Sequence, residues 1–251
     1  MERAGALVAD ILHELRGMVA PGVTTADLDA VAERRCREAG AKPAFKGYRG
    51  YPATLCVSIN DEVIHGIPSP KRALRPGDIV SLDMGARVDG FFGDSAITVP
   101  VGTVPERVAH LLEVTREALW RGIAQARVGG RVSDIGHAVQ THVEAHGFSV
   151  VREFVGHGVG ASPHEEPQVP NYGERGRGPR LSEGMVLAIE PMVNMGKPGV
   201  KVLSDGWTAV TKDGSLSAHF EHTVAVTSGG PLVLTLPGAE RLARAAAGHA
   251  S

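Results

Sequence analysis

The chain has few cysteines and no long apolar segment, and both shortages limit what it can be. Only Cys36 and Cys56 occur among 251 residues. Two thiols are too few for a disulfide scaffold or a thiolate zinc site, and they are typical of a reducing compartment. No run of about 18 apolar residues occurs, and five charged residues interrupt the first twenty positions, so neither a membrane span nor a signal peptide is expected. We therefore expect a cytoplasmic protein that does not contact a membrane.

An excess of charge of one sign is also missing. The 26 Lys and Arg residues are balanced by 28 Asp and Glu residues, and no basic stripe predicts contact with nucleic acid. Hydrophobic residues make up 43% of the chain, which excludes general disorder. The high glycine count of 32 indicates many turns, and the 11 histidines are the one unusual number.

Apolar periodicity predicts two pairs of helices, each pair followed by strands. The four predicted helices are 4–20, 25–39, 106–124 and 133–147. A shift of 107 positions superposes Gly22 on Gly129 and Asp27 on Asp134. Either shared helix-capping patterns or a duplicated unit explains this match. The second explanation predicts a single domain over 1–251 with halves at about 1–104 and 105–235, related by a pseudo-twofold axis, and a short Ala-rich tail at 239–251.

The turn pair Asp89-Gly90 predicts a hairpin between strands at 79–85 and 91–99. That register places Asp83 opposite Ala96, so Asp83 and Asp94 become diagonal neighbours on one face of the sheet. Two such carboxylates repel each other unless one takes a proton or cations neutralise them, and a pair of divalent metals ~3.5–4 Å apart fits. The alternative is that both carboxylates lie on a solvent-exposed face.

Three later runs, 200–203, 207–211 and 218–226, are separated by Asp-Gly pairs and predict an antiparallel meander. Because helices and antiparallel strands are segregated along the chain, the predicted class is α+β.

Three more polar residues interrupt apolar, strand-like runs. Glycines flank His157, Glu190 ends the run 186–189, and Glu221 begins another. A carboxylate directed into a core must be paired or metal-bound. With Asp83 and Asp94, these residues give four carboxylates and one imidazole, a set that suits Mn, Fe, Co or Zn. The spacing leaves the identity of the metal open.

The order and spacing of several motifs are more specific than any one of them. They include Gly47-Tyr48-Arg49-Gly50-Tyr51-Pro52, His65-Gly66-Ile67-Pro68, Gly156-His157-Gly158-Val159-Gly160, His164-Glu165-Glu166-Pro167, Ile189-Glu190-Pro191-Met192 and Glu221-His222-Thr223. With these motifs the chain resembles the type I methionine aminopeptidases over about residues 1–235. The resemblance implies the pita-bread fold, a pseudo-twofold α+β domain with a central curved antiparallel sheet flanked by helices.

The resemblance also implies a role for each matching residue. Two divalent metals are implied: Asp83 binds one, Asp94 and Glu221 bridge both, and His157 and Glu190 bind the other. His65 and His164 are implied beside the scissile bond, and Glu190 transfers the proton of the attacking water. The residues implied to line the substrate pocket are Tyr48, Tyr51, Cys56 and Trp207. Asn60 and Ser217 match a candidate monovalent-cation site of some relatives.

The implied activity is removal of the N-terminal methionine from nascent proteins with a small second residue, by attack of a metal-bridging hydroxide. Nascent polypeptide N-termini are the implied partners, the ribosome is a candidate partner, and a monomer is sufficient. Two alternatives stay open: a related aminopeptidase with broadened or X-Pro specificity, and a non-catalytic binding protein on the same fold. Pro163 bears on the first, because relatives usually have Phe or Tyr there as part of the pocket wall.

The remaining histidines have structural explanations. His219 and His222 flank Glu221, and we expect both on the opposite face of the strand. The others are expected on helix surfaces or in the tail: His13, His110, His137, His142, His146 and His249.

Overall fold

The computed structural model describes residues 1–238, which contain four α-helices. They run Glu2–Met18 (α1), Thr25–Glu38 (α2), Glu106–Ile123 (α3) and Val132–Ala145 (α4). The four predicted helices are confirmed with small shifts at their ends, whereas the predicted Ala-rich tail at 239–251 lies outside the described residues. Across residues 1–238, no helix combines the length and apolarity that crossing a bilayer requires.

Short strands form one large sheet and two small ones. The strands are Lys42–Pro43 (β1), Leu55–Ile59 (β2), Glu62–Ile64 (β3), Ile79–Val88 (β4), Phe91–Pro100 (β5), Ser149–Val150 (β6), Gly156–Gly158 (β7), Glu165–Val169 (β8), Val186–Ile189 (β9), Met192–Asn194 (β10), Val200–Val202 (β11), Ala209–Thr211 (β12), Ser217–His219 (β13), Glu221–Thr227 (β14) and Gly230–Val233 (β15). The nine-stranded sheet has the order β1-β4-β5-β14-β9-β7-β8, with β2 on β4 and β15 on β14. The other sheets are β13-β10-β6 and β11-β12-β3.

The strands of the large sheet alternate apolar and polar residues, and the helices cover the face that carries the apolar ones. Leu82 and Met84 of β4 are buried in one core cluster with residues of α1 and α2, such as Ile11 and Leu28. Asp83 lies between Leu82 and Met84 in sequence, so it faces the other side of the sheet. The face opposite the helices is therefore the polar one.

The two halves repeat the same local hydrogen bonds at an offset of 107 residues. Two such pairs are Gly22 N to Leu74 O with Gly129 N to Leu181 O, all at 2.9 Å, and Thr24 N to Asp27 Oδ2 with Arg131 N to Asp134 Oδ2, at 2.9 and 2.8 Å. Each half places a helix pair before strands of the large sheet. These repeated contacts agree with the predicted pseudo-twofold α+β fold.

The first hairpin is confirmed in detail, and of the later meander only the antiparallel pairing of its first two strands, β11 and β12, is confirmed. Strands β4 and β5 pair with Asp83 opposite Ala96 and Gly85 opposite Asp94, as the Asp89-Gly90 turn predicts. Strand β12 pairs with β11 and β3, whereas β13 pairs with β10 and β14 pairs with β5 and β9. The run 218–226 is interrupted at Phe220, where the chain passes from a small sheet to the large one, so its two parts cannot extend one meander.

We predict that Gly136→Ala destabilises the protein, whereas Gly17→Ala does not. A Cβ at Gly136, on α4, would overlap the carbonyl oxygen of Pro170 and lie 2.6 Å from that of Tyr172. Overpacking against backbone costs about 1–3 kcal/mol or more. A Cβ at Gly17, on α1, would meet no heavy atom within 4 Å, so alanine there stabilises the helix or changes nothing. Thermal unfolding measures both, and equal melting temperatures would contradict the packing described.

Candidate functional site

Five candidate metal ligands occupy five adjacent strands of the large sheet. Asp83 lies in β4, Asp94 in β5, Glu221 in β14 and His157 in β7, and Glu190 directly follows β9. These strands are neighbours in the order β4-β5-β14-β9-β7. Each strand therefore contributes one ligand, two from the first half of the chain and three from the second.

Strand register brings these side chains to the same face. Asp83 is paired with Ala96, which is also paired with Glu221, and Asp94 lies two residues before Ala96. Residues paired across adjacent strands point to the same side of a sheet, and so do residues two apart. His157 is paired with Ala188, which lies two residues before Glu190. The same rule therefore places His157 and Glu190 on one side of the sheet.

The ligand atoms are close together and buried. Asp94, His157 and Glu221 each offer an atom within 4.8 Å of those of the other two. His157 Nε2 lies 3.5 Å from Glu190 Oε1. Asp83, Asp94, His157 and Glu221 are each at most 9% exposed. This is a desolvated cluster with four carboxylates.

Burial and mutual repulsion make the charged form of these carboxylates unfavourable. Burial raises the pKa of Asp83 to about 7. Burial raises the pKa of Asp94 well above its usual range, and the charge of Asp83 raises it further. The pKa values of Glu190 and Glu221 are raised by burial and then by the neighbouring carboxylates.

Divalent cations fit this donor set. One carboxylate oxygen on each of Asp83, Asp94 and Glu221 is buried without a hydrogen-bond partner. A buried polar atom without a partner is unfavourable, and a cation coordinated by several such oxygens removes the penalty. Oxygen ligands with one imidazole nitrogen suit Mn, Fe, Co or Zn.

The backbone around His157 prepares its ring for metal binding. His157 Nδ1 lies 2.9 Å from the carbonyl oxygen of Gly158, which can only accept, so Nδ1 carries the proton and Nε2 faces Glu190. Burial lowers the pKa of His157, which keeps the ring neutral. A Cβ at Gly156 would overlap Ala188 O, and one at Gly158 would overlap Glu166 O. The two glycines therefore let β7 lie between β8 and β9.

A cavity of about 290 Å³ opens onto the carboxylate cluster. Its lining includes every residue predicted for metal binding, catalysis or the substrate pocket: Tyr48, Tyr51, Cys56, His65, Asp83, Asp94, His157, His164, Glu190, Trp207 and Glu221. Phe45 and Arg49 complete it. Phe45 was not predicted from the sequence, although its position close to the Tyr48 motif could have indicated it.

One end of the cavity is apolar. Tyr51 and Cys56 form a buried cluster with Phe45, Ile67 and Trp207. The rings of Tyr51 and Trp207 meet edge to face at 5.1 Å, and the Tyr51 hydroxyl donates a hydrogen bond of 3.0 Å to Gly66 O. Burial raises the pKa of the Cys56 thiol, so Cys56 is a neutral wall residue rather than a nucleophile.

Two neutral histidines stand beside the cluster. Burial lowers the pKa of His65 and of His164, and repulsion from a neighbouring imidazole adds to this effect. Both pKa values are about 4. The His164 ring stacks on Tyr48 at 5.3 Å and lies 4.3 Å from the ring of His157. His65 has a φ of 61°, a strained backbone conformation found preferentially at functional sites.

The prediction for His219 is wrong, and the one for His222 is confirmed. His219 Nε2 lies 3.7 Å from Glu190 Oε2, and the residue is 1% exposed. His219 and Glu221 are two positions apart, which places them on the same side, and this alternation was the signal missed. His222 points the other way, with Nδ1 at 2.9 Å from Thr235 Oγ1.

Asn60 and Ser217 lie apart from the cavity and contact each other. Asn60 O accepts a 2.9 Å hydrogen bond from Ser217 N. The Asn60 amide is already bonded to Asp78 Oδ1 at 2.8 Å and to Ile79 N at 3.1 Å. A cation beside this pair would therefore use backbone oxygens or other side chains.

Comparison with known proteins shows the family to which the chain belongs. The model of the metallopeptidase family M24 matches residues 1–228. Methionine aminopeptidase 1 of Bacillus subtilis (strain 168) is 53% identical over 235 residues, which cover 94% of both chains. The crystal structure of methionine aminopeptidase from Thermotoga maritima matches with a TM-score of 0.93 and 48% identity, covering 94% of this chain and 95% of that one. A prolidase from Pyrococcus horikoshii OT3 shares the fold at a TM-score of 0.73 and 25% identity, but this chain covers only 60% of its length. The chain therefore belongs to the metallopeptidase family M24 and, within that family, to the methionine aminopeptidases.

Proposed function

We propose that this protein hydrolyses the first peptide bond of polypeptides that begin with methionine followed by a small residue. The observation that carries the proposal is the position of the carboxylate cluster at one end of a cavity whose other end is apolar. Such a site can hold an unbranched apolar side chain while the adjoining peptide bond lies at the polar end.

The donor set supports two divalent cations. Asp83 would hold one, His157 and Glu190 would hold the other, and Asp94 and Glu221 would be shared by both. When bound, such a pair lowers the pKa of water and polarises the scissile carbonyl. That the protein binds divalent metal follows from its membership of a metallopeptidase family.

Glu190 is the residue we assign to proton transfer. Its two carboxylate oxygens face His157 and His219, at 3.5 and 3.7 Å. Burial and its acidic neighbours raise the pKa of Glu190, which makes it a stronger proton acceptor than an exposed glutamate. Glu190 would take a proton from the attacking water and return it to the leaving nitrogen.

His65 and His164 are assigned to binding and polarising the peptide. Both are neutral at pH 7, so each can donate one N–H and accept at the other ring nitrogen. Donors placed at the developing oxyanion or leaving amine stabilise the transition state. The Tyr48 ring stacked on His164 restricts the space beside this bond, which supports a small second residue.

The pocket that we assign to the methionine side chain is walled by Phe45, Tyr51, Cys56 and Trp207. Pro163 is half-buried beside His164 and is not among the described residues that line the cavity. Relatives usually have an aromatic residue at this position, and Pro163 replaces it with a smaller ring. The wall of the cavity beside His164 is formed by Tyr48.

We further propose that the protein acts as a monomer on nascent N-termini in the cytoplasm, with the ribosome as a candidate partner. All five ligands come from one chain, which supports a monomer, and both cysteines are free and buried, which supports a reducing compartment.

A monovalent cation near Asn60 and Ser217 is also proposed. Its support is the Asn194 side-chain oxygen, which is buried without a hydrogen-bond partner on the residue paired with Ser217.

We predict that Glu190→Gln loses about 10²–10⁴-fold in kcat with a much smaller change in KM, because an amide cannot accept a proton. Steady-state hydrolysis of Met-Ala-Ser by the manganese-loaded protein measures this. Glu153→Gln, an exposed glutamate in the same region, is the matched control and should behave like the unmodified protein. Turnover by the Glu190 variant near that of the control would assign proton transfer to another group.

Metal uptake should release protons and weaken as the pH falls. The raised carboxylate pKa values mean that the metal-free cluster holds protons near pH 7, and a cation must displace them. His157 contributes none, because its lowered pKa leaves it neutral. We expect release of about one proton or more at pH 6.5, and tighter Mn²⁺ binding as the pH rises to 8.

Calorimetric titration of the metal-free protein in buffers of different ionisation enthalpy measures this release. Asp94→Ala should lower the amount of bound Mn²⁺, and Glu153→Ala should not. Mn²⁺ binding that is independent of pH and releases no proton would contradict the electrostatics of the cluster.

The substrate pocket predicts preference for methionine followed by a small residue. We expect kcat/KM for Met-Ala-Ser to exceed that for Leu-Ala-Ser by about tenfold or more, since a shape mismatch in an apolar pocket is worth 10–200-fold. Met-Lys-Ser should be cleaved poorly. Pro163→Tyr should increase the discrimination against leucine by restoring the aromatic wall. Efficient cleavage of Xaa-Pro peptides without cleavage of Met-Ala-Ser would overturn the proposed function.

A further inference from the structure

A second group of potential metal ligands lies on the α3–α4 helix pair, and none of its residues lines the cavity described above. The group, here called the histidine cluster, consists of His110 and Glu117 on α3 and His142 and His146 at the end of α4. The ring centroids of His142 and His146 are 4.5 Å apart, and those of His110 and His146 are 5.3 Å apart. His142 Nε2 lies 3.3 Å from Glu117 Oε2.

Helix periodicity brings these residues together. His142 and His146 are four positions apart, which places them one above the other on the same face of a helix. His110 and Glu117 are seven positions apart on α3, which packs against α4. Four side chains that can bind metal therefore meet along one helix–helix contact.

The protonation pattern leaves nitrogen lone pairs available. His146 Nδ1 lies 2.8 Å from the carbonyl oxygen of His142, which can only accept, so Nδ1 donates and Nε2 is the nitrogen that can bind a metal. His142 was expected on a helix surface but is 8% exposed, and its Nε2 is buried without a hydrogen-bond partner. Burial also lowers the pKa of His142, which favours the neutral ring. Glu117 supplies a compensating negative charge, and the nearby Arg121 opposes a cation.

The ring spacing suits a shared ion. Two imidazoles bound to one metal at about 2.0–2.1 Å in tetrahedral geometry have centroids about 5 Å apart. Within residues 1–238, only Asp94, His157 and Glu221 already hold ligand atoms within 4.8 Å of one another. The histidine cluster therefore requires its two exposed rings, His110 and His146, to turn toward His142.

We propose that the histidine cluster binds one transition-metal ion of the class that prefers imidazole, such as Zn²⁺, Ni²⁺ or Cu²⁺. The ligands are His110, His142 and His146, with Glu117 as the fourth. Three imidazoles and one carboxylate differ from the carboxylate-rich cavity site, so the cluster favours Ni²⁺ and Cu²⁺ more than the cavity does, whereas Zn²⁺ suits both. The bound ion links α3 to α4 at the surface, which stabilises the folded state by an amount that grows with the ratio of free metal to Kd.

The test measures Ni²⁺ binding to the tag-free protein by equilibrium dialysis and elemental analysis. The cluster variants are H146A and H110A/H146A, both at exposed positions. H137A removes another exposed histidine of α4 and is the matched control. We expect H110A/H146A to bind about one Ni²⁺ fewer than the unmodified protein, H146A to bind it about tenfold or more weakly, and H137A to be unchanged.

The same comparison in a D94A background separates this site from the cavity. D94A and D94A/H110A/H146A should still differ by about one Ni²⁺, even if the proposed peptidase function is wrong. Added Ni²⁺ should raise the melting temperature of D94A more than that of D94A/H146A. Equal Ni²⁺ binding by the unmodified protein and H110A/H146A would overturn the proposal.

Discussion

The structure depends on one electrostatic constraint: four carboxylates are held out of water on one face of a sheet. Burial raises the pKa values of Asp83, Asp94, Glu190 and Glu221, acidic neighbours raise those of the last three further, and three of the four carry an oxygen without a hydrogen-bond partner. Removing such groups from water is costly unless cations or protons neutralise them. The apolar core on the opposite face supplies the stability that allows this arrangement. The same core residues alternate with the ligands along β4, so stability and metal binding come from the two faces of one strand.

The ligand geometry is set where the two halves of the chain meet, at β5 and β14. These strands share only two paired positions, but side chains strengthen the contact. Ser95 Oγ donates to Glu221 O at 2.6 Å, and Thr223 Oγ1 donates to Asp94 O at 2.7 Å while accepting from Asp94 N at 3.0 Å. Each bond holds the backbone of a ligand that both cations would share. The position of the ligands therefore depends on hydroxyl groups that do not touch the cavity.

Local sequence signals predicted what is decided locally. The Asp89-Gly90 turn determined the register of β4 and β5, and with it the placement of Asp83 relative to Asp94. The break at Phe220 was not predictable in this way, because β13 pairs with β10 and β14 pairs with β9, and both partner strands are distant in the sequence. The side of His219 could have been predicted, since a two-residue alternation places it with Glu221. Burial of His142 could not, because a helix surface becomes interior only when another helix packs on it.

We propose that the five ligands hold two divalent cations together at the polar end of the cavity. Anomalous diffraction at the manganese edge, from crystals equilibrated with Mn²⁺, tests this arrangement most directly. We expect two peaks about 3.5–4 Å apart, with Asp94 and Glu221 between them, Asp83 on one side, and His157 with Glu190 on the other. Fully occupied crystals with no manganese among these residues, or with a single ion not contacted by Asp94 and Glu221, would contradict it.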